Sequence, residues 1–159
     1  MLARERVSAS KLGFDNVEFR LGEIENVPVA DNLADVVVRN CVLNLVPDKQ
    51  KAFSETFRIL KPGGHFSVSD IVLRGYLPDT LKTVAEMYAG CVSGAIQKDE
   101  YLSIVKAAGF TNIQVQKEKK INIPREVLMQ YISETELKNL EDAGTSVLSI
   151  TVYAEKPKA

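Results

Sequence analysis

An α/β sandwich is the fold this sequence predicts, on three observations. Val36, Val37 and Val38 run on without alternation inside Ala34 to Arg39, as in a parallel strand buried on both faces. Helical and strand-like stretches take turns along most of the chain, the order expected of layered helices and sheet. Between one such helix and the next strand stands Leu60-Lys61-Pro62-Gly63-Gly64, an abrupt stop.

The elements follow in order. Met1 to Leu12 has helical composition and meets Gly13, a residue suited to a helix end. Val17 to Leu21 alternates like a strand, and a loop with Pro28 leads to the valine-rich strand. Pro47 and Asp48 open a helix whose Ala52, Phe53, Thr56, Phe57 and Leu60 form an inward stripe. A strand is expected from about Phe66 to Leu73. A helix follows from Pro78 to Val92, with Leu81, Val84, Ala85 and Tyr88 on one face. Asp99 to Ala108 forms another helix, ended by Gly109, and Ile113 to Ile121 another strand. Ser133 and Glu136 have the spacing of a capping box for a helix reaching about Ala143. Val147 to Ala154 is the last strand. Only helical turns separate it from its predecessor, so those two are expected to pair antiparallel. Phe53, Phe57, Tyr88 and Phe110 fall at core spacing and read as packing.

With 159 residues, 45% hydrophobic and 26% charged, the chain reads as one globular domain over residues 1–159. A net charge of −1 offers nothing to a polyanion, which disfavours nucleic acid. No apolar stretch approaches the ~20 residues of a membrane span. The start, Met1 to Arg6, lacks a signal peptide's apolar segment, so a cytoplasmic address is the default expectation. In such a reducing compartment the two cysteines would stay thiols. No glycine-rich turn of the kind that holds a nucleotide appears anywhere in the chain.

Cys41 and Cys91 are the most informative residues. Cys41 follows the valine strand at its carboxyl end, where open α/β sheets place their ligands. Cys91 lies in the small-residue segment Ala89-Gly90-Cys91-Val92-Ser93-Gly94-Ala95. Two thiols so placed suit a soft, thiol-seeking substrate. Taken singly, either reads first as a space-filling core residue. His65, the one histidine, starts a strand and lacks a catalytic partner. Asp70 could face the ligand rim or cap a turn, and both readings stay open. Lys117-Glu118-Lys119-Lys120 reads as a solvated strand end.

The order strand, Asn40-Cys41, helix, Leu60-Lys61-Pro62-Gly63-Gly64, strand resembles the second half of a class I S-adenosylmethionine-dependent methyltransferase. Asn40-Cys41-Val42-Leu43-Asn44-Leu45 together with Gly90-Cys91-Val92-Ser93-Gly94-Ala95 looks like the arsenite methyltransferase branch. Phe19-Arg20-Leu21-Gly22-Glu23-Ile24-Glu25 and the tail Ser149 to Pro157 fit the same branch. The likeness covers nearly the whole chain. It starts, however, after the family's first two strands, its glycine-rich loop and a third cysteine. The resemblance therefore implies a Rossmann-like sandwich that is N-terminally incomplete, the missing strands falling between Val17–Leu21 and Ala34–Arg39. A fragment of a longer protein is the reading that this favours.

By resemblance, Cys41 and Cys91 would be two arsenic thiolates, in a substrate-side segment of about residues 74–110. Glu23, ending the Val17–Leu21 strand, would accept from the adenine amino group of S-adenosylmethionine, with Ile24 beside it. Asn40 would lie near that cofactor. The substrate would be arsenite or its thiol conjugate, and no general base is needed, since the arsenic lone pair carries no proton. A monomer is expected for the full-length protein, with an edge-paired dimer open to this chain. Two other readings stand beside this one. A methyltransferase for quinones or other small molecules would keep Glu23 and Asn40 and make the cysteines incidental. A degenerate, non-catalytic module would bind a metalloid or a partner through its open sheet edge.

Overall fold

The computed structural model describes residues 2–158, leaving aside the side chains of Leu2, Ala3 and Tyr88. Its elements run α1 (Leu2–Lys11), β1 (Ala34–Asn40), a 3-10 turn (Leu43–Leu45), α2 (Lys49–Ile59), β2 (Leu60–Arg74), α3 (Asp79–Ala89), α4 (Lys98–Ala107), β3 (Thr111–Lys120), α5 (Arg125–Leu128), α6 (Glu134–Asp142) and β4 (Ser146–Glu155). The strands form one sheet in the order β1-β2-β4-β3. β1 and β2 are parallel, whereas β4 runs antiparallel to both β2 and β3. The antiparallel pairing expected of the last two strands is thus present, with β4 inserted between β2 and β3.

Helices cover both faces. Against one lie α2 and α4, whose Phe53 and Tyr101 meet edge to face at 5.4 Å over Phe66, Val68 and Val152 of the sheet. Phe110 extends the cluster, its ring 4.8 Å from Phe66 and 5.2 Å from Phe57. Phe53, Phe57, Phe66, Phe110 and Tyr101 thus pack as a core, whereas the Tyr88 side chain lies outside the described residues. On the opposite face Leu77, Leu81, Ala85 and Val92 close over Ile71, Leu73 and Val147. The inward stripe of α2 is Ala52, Phe53, Thr56 and Ile59, with Phe57 half-buried and Leu60 fully buried at the start of β2. Asp48 caps this helix by accepting from the Lys51 N–H at 2.9 Å. The capping box of α6 is complete: Ser133 accepts from Glu136 N–H and Glu136 accepts from Ser133 N–H.

Three local expectations require correction. Val17 to Leu21 forms no strand; Val17 is 47% and Leu21 82% exposed, and no described strand lies alongside to complete a ladder. Ala34 to Arg39 is a strand, but only Val37 is buried, while Val36 and Val38 are 46% and 73% exposed. β1 stands at the sheet's edge, and Val36 and Val38 are left uncovered by the described helices. The third concerns Leu60-Lys61-Pro62-Gly63-Gly64, which ends α2 as expected yet lies within β2 rather than before it. Ala34 pairs with Leu60 and Val36 with His65, so the extra residues are absorbed as an irregularity in the parallel ladder. Gly64 permits this close approach, since a Cβ there would stand 2.8 Å from the Asp35 carbonyl oxygen.

The loop ahead of β1 is stapled to α2. Glu55 accepts from the Val27 N–H, and the Arg58 guanidinium donates to the carbonyls of Val27 and Val29. His65 is half-buried, lies 5.1 Å from the Tyr153 ring and stands across the ladder from Glu155, with no hydrogen bond or ion pair of its own among the described residues. The Lys117–Lys120 run is solvent-exposed, Glu118 pairing with Arg74 and Lys98.

Candidate functional site

Cys41 leaves β1 where the parallel ladder ends, its N–H still donating to the Ser69 carbonyl of β2 at 2.8 Å. Its backbone then turns into the left-handed region, φ 52°. That conformation is uncommon for a residue with a side chain. Cys91 adopts the same conformation, φ 55°, directly after the glycine that ends α3. The thiol of Cys91 donates to the main-chain carbonyl of Cys41 at 3.3 Å. Two cysteines remote in sequence are thus brought together at the rim, both half-buried and both free thiols. Burial pushes the Cys41 thiol above the usual range, and the neighbouring Cys91 thiol and the Asp70 carboxylate push the same way.

The two cysteine-bearing loops are held from several sides. The side-chain amide of Asn44 donates to the Ile71 carbonyl at 2.7 Å, tying the 3-10 turn after Cys41 to β2. Glu86 of α3 accepts from the Ser93 N–H at 2.6 Å, and the Leu73 N–H donates to the Ile96 carbonyl at 2.9 Å. Residues 90–97 therefore cross the rim on fixed supports at both ends. Gly94 sits directly on the Asn44 main chain.

Beneath Cys41 lies a buried polar group that sequence reasoning left unassigned. Asp70 is fully buried and accepts from the Tyr101 hydroxyl at 2.9 Å. Burial raises its pKa to about 6, against the opposing pull of the Tyr101 hydrogen bond and of Lys49. Burial likewise lowers Arg39 and raises Tyr101, while Asp70 works in the opposite sense on Arg39. The signal was available: Asp70 alternates with Phe66, Val68 and Val72, so period-two spacing points it into the core. The left-handed backbone at both cysteines had no comparable signal, because neither position is a glycine.

Asn40 ends β1 and is exposed beside Cys41. Glu23 does not end a strand. It sits exposed in a turn closed by the Asn26 N–H donating to its carbonyl at 3.1 Å. This corrects the expectation that Glu23 stands at the end of a strand: the turn hangs instead from the start of α2, where Glu25 accepts from the Asp48 N–H. Ile24 packs partly against the α2-side core. Among the described residues no group of three or more His, Cys, Asp and Glu side chains converges as a metal site. No described helix is long and apolar enough to cross a membrane.

A mixed α/β sheet with two thiols at the carboxyl end of its parallel pair defines an α/β domain of the kind that takes a small ligand at that rim. Residues 1–109 match the family described as a methyltransferase domain, and the chain belongs to that family. An arsenite methyltransferase of Halobacterium salinarum is 36% identical over 99% of this chain and 38% of its own length. Another, from Aquipseudomonas alcaligenes, is 35% identical over 79% of this chain and 37% of its length. The crystal structure of an arsenic(III) S-adenosylmethionine methyltransferase from Chlamydomonas reinhardtii superposes with a TM-score of 0.72 at 29% identity, covering 94% of this chain and 48% of that one. The chain thus spans about two-fifths of the length of the curated relatives it matches.

Proposed function

We propose that this chain is the substrate-side part of an arsenite methyltransferase, in which Cys41 and Cys91 hold arsenic(III) while it accepts a methyl group from S-adenosylmethionine. The observation that carries the reading is the meeting of the two cysteines, the Cys91 thiol donating to the Cys41 carbonyl oxygen at 3.3 Å. Arsenic(III) is soft and favours thiolate over carboxylate or imidazole. Each thiol that binds gives up its proton to a departing hydroxide of arsenous acid, releasing water and forming one As–S bond. The pyramidal product keeps its lone pair, so what the protein must supply is position and exclusion of solvent, not a base. That agrees with a rim where His65 plays no part.

S-adenosylmethionine supplies an electrophilic methyl group on a sulfonium. The described residues fit only part of it. Asn40, exposed at the end of β1, and the Glu23–Ile24 turn are the groups proposed to face it. The chain carries no glycine-rich turn for the amino-acid tail, and the outer edge of β1 pairs with no described strand. This chain alone is therefore expected to bind the cofactor weakly. We take residues 1–159 as one domain, its segment of about 74–110 serving the substrate. The cytoplasm, which keeps thiols reduced, is its proposed place of work. The full-length protein is proposed to be a monomer, whereas the open β1 edge of this chain leaves room for an edge-paired dimer.

The test is methyl transfer to arsenite by the full-length protein with Cys41 and Cys91 changed to serine. Loss of transfer is the expected result. Undiminished transfer by the double variant would overturn the assignment.

A further inference from the structure

The two cysteine loops touch through their main chains as well as through sulfur. A Cβ placed on Gly94 would stand 1.7 Å from the Asn44 carbonyl oxygen and 2.8 Å from its carbonyl carbon, both backbone atoms. Ordinary contact begins at 3.4 Å, so no side chain fits while the loops keep their places. Asn44 cannot easily retreat, because it is 3% exposed and its side chain is tied to Ile71. Gly94 is held in turn by the short turn Ala95 N–H to Val92 carbonyl, and Ser93 by Glu86. The seat lies three residues beyond each cysteine.

From this we infer that the Gly94–Asn44 seat sets the separation of the two thiols, making Asn44 and Gly94 positioning residues for a ligand that must bond both sulfurs at once. The inference rests on the dithiol reading of Cys41 and Cys91. A chelating ligand gains from having its second thiol held within reach, and loses that gain when the span no longer matches. A reagent that needs only one thiol draws nothing from the span. The seat therefore separates dithiol capture from the reactivity of either sulfur alone.

Phenylarsine oxide and iodoacetamide distinguish the two. The arsenical condenses with two thiols to a cyclic dithioarsinite, its oxygen leaving as water with both thiol protons. Iodoacetamide alkylates single thiols, releasing iodide and a proton. In the 159-residue chain, Gly94→Ala is expected to weaken phenylarsine oxide binding about tenfold or more, with both cysteines alkylated at wild-type rates. Equal arsenical affinity in the variant would overturn the inference, as would changed alkylation rates of both thiols together with lost affinity, which would mark a general disturbance of the rim. Should Gly94→Ala fail to fold by circular dichroism, Asn44→Ala decides. It leaves the glycine seat intact but frees the turn from Ile71, and the same split is expected; unchanged affinity would again refute the role. Failure of the wild-type chain to bind phenylarsine oxide would instead sink the dithiol reading itself.

Discussion

The Tyr101 hydroxyl donates to the Asp70 carboxylate at 2.9 Å, and both residues are sealed from solvent. One carboxylate oxygen is thereby satisfied; the other, Oδ1, has no partner among the described residues. A buried carboxylate so placed resists ionisation, which is why its pKa rises to about 6.

The stability profile follows from that value. In the unfolded chain Asp70 ionises near pH 4, as aspartate does, whereas in the folded chain it holds its proton to about pH 6. Between those limits the folded state binds more protons, so stability falls as pH rises. The contribution is greatest below about pH 4 and is lost by about pH 6, with an upper bound of about 3 kcal/mol. Asp70→Asn is expected to flatten this stretch of the profile, as read by urea unfolding at closely spaced pH. A slope identical to wild type would show that Asp70 titrates normally.

Tyr101→Phe removes the donor and keeps the ring that meets Phe53 edge to face. Leaving Asp70 with no side-chain donor costs about 1–3 kcal/mol, and thermal unfolding should register it. Were Asp70→Asn combined with Tyr101→Phe, the second loss should shrink, because no carboxylate remains to be deprived. Simple additivity of the two would argue against direct coupling.

Much of this architecture was legible in the sequence because it is local. The capping box at Ser133, most of the α2 stripe and the end of α2 ahead of Pro62 are short-range patterns, and the structure realises them. What failed depended on neighbours. Val17–Leu21 alternates like a strand, but an isolated strand has no ladder, so its backbone stays unpaired. Val36 and Val38 read as buried because three valines in a row usually are; their burial depends on a helix and a strand lying alongside. Glu23 followed the same error, since it was placed by the strand before it. The rim position of Cys41 depended only on the end of β1, and that was readable. How closely Cys91 approaches it depended on left-handed backbone and on Gly94 finding Asn44, which no spacing encodes.

The Cys41 thiol offers a separate check. Burial is the first cause of its raised pKa and the Cys91 thiol the second. Its alkylation should therefore reach half-maximal rate at a higher pH than a free thiol. Cys91→Ser should bring that midpoint partway down, burial holding it above the ordinary range. An unchanged midpoint in the variant would mean the two sulfurs do not sense one another.

At the other end of the chain, Ser133→Ala removes the side-chain acceptor of the α6 cap, which takes the Glu136 N–H at 3.3 Å. A loss of about 1 kcal/mol is expected. Chemical denaturation of the chain measures it, and a midpoint equal to wild type would deny the cap any share in stability.

Arsenic K-edge X-ray absorption on the 159-residue chain loaded with arsenite, in buffer free of other thiols, bears most directly on the central claim. Cys41 and Cys91 are the only cysteines present, so every thiolate scatterer must come from them. Two sulfur neighbours per arsenic are predicted for the wild type, and one for each single serine variant. Arsenic surrounded by oxygen alone, or a coordination shell that neither serine substitution alters, would contradict it.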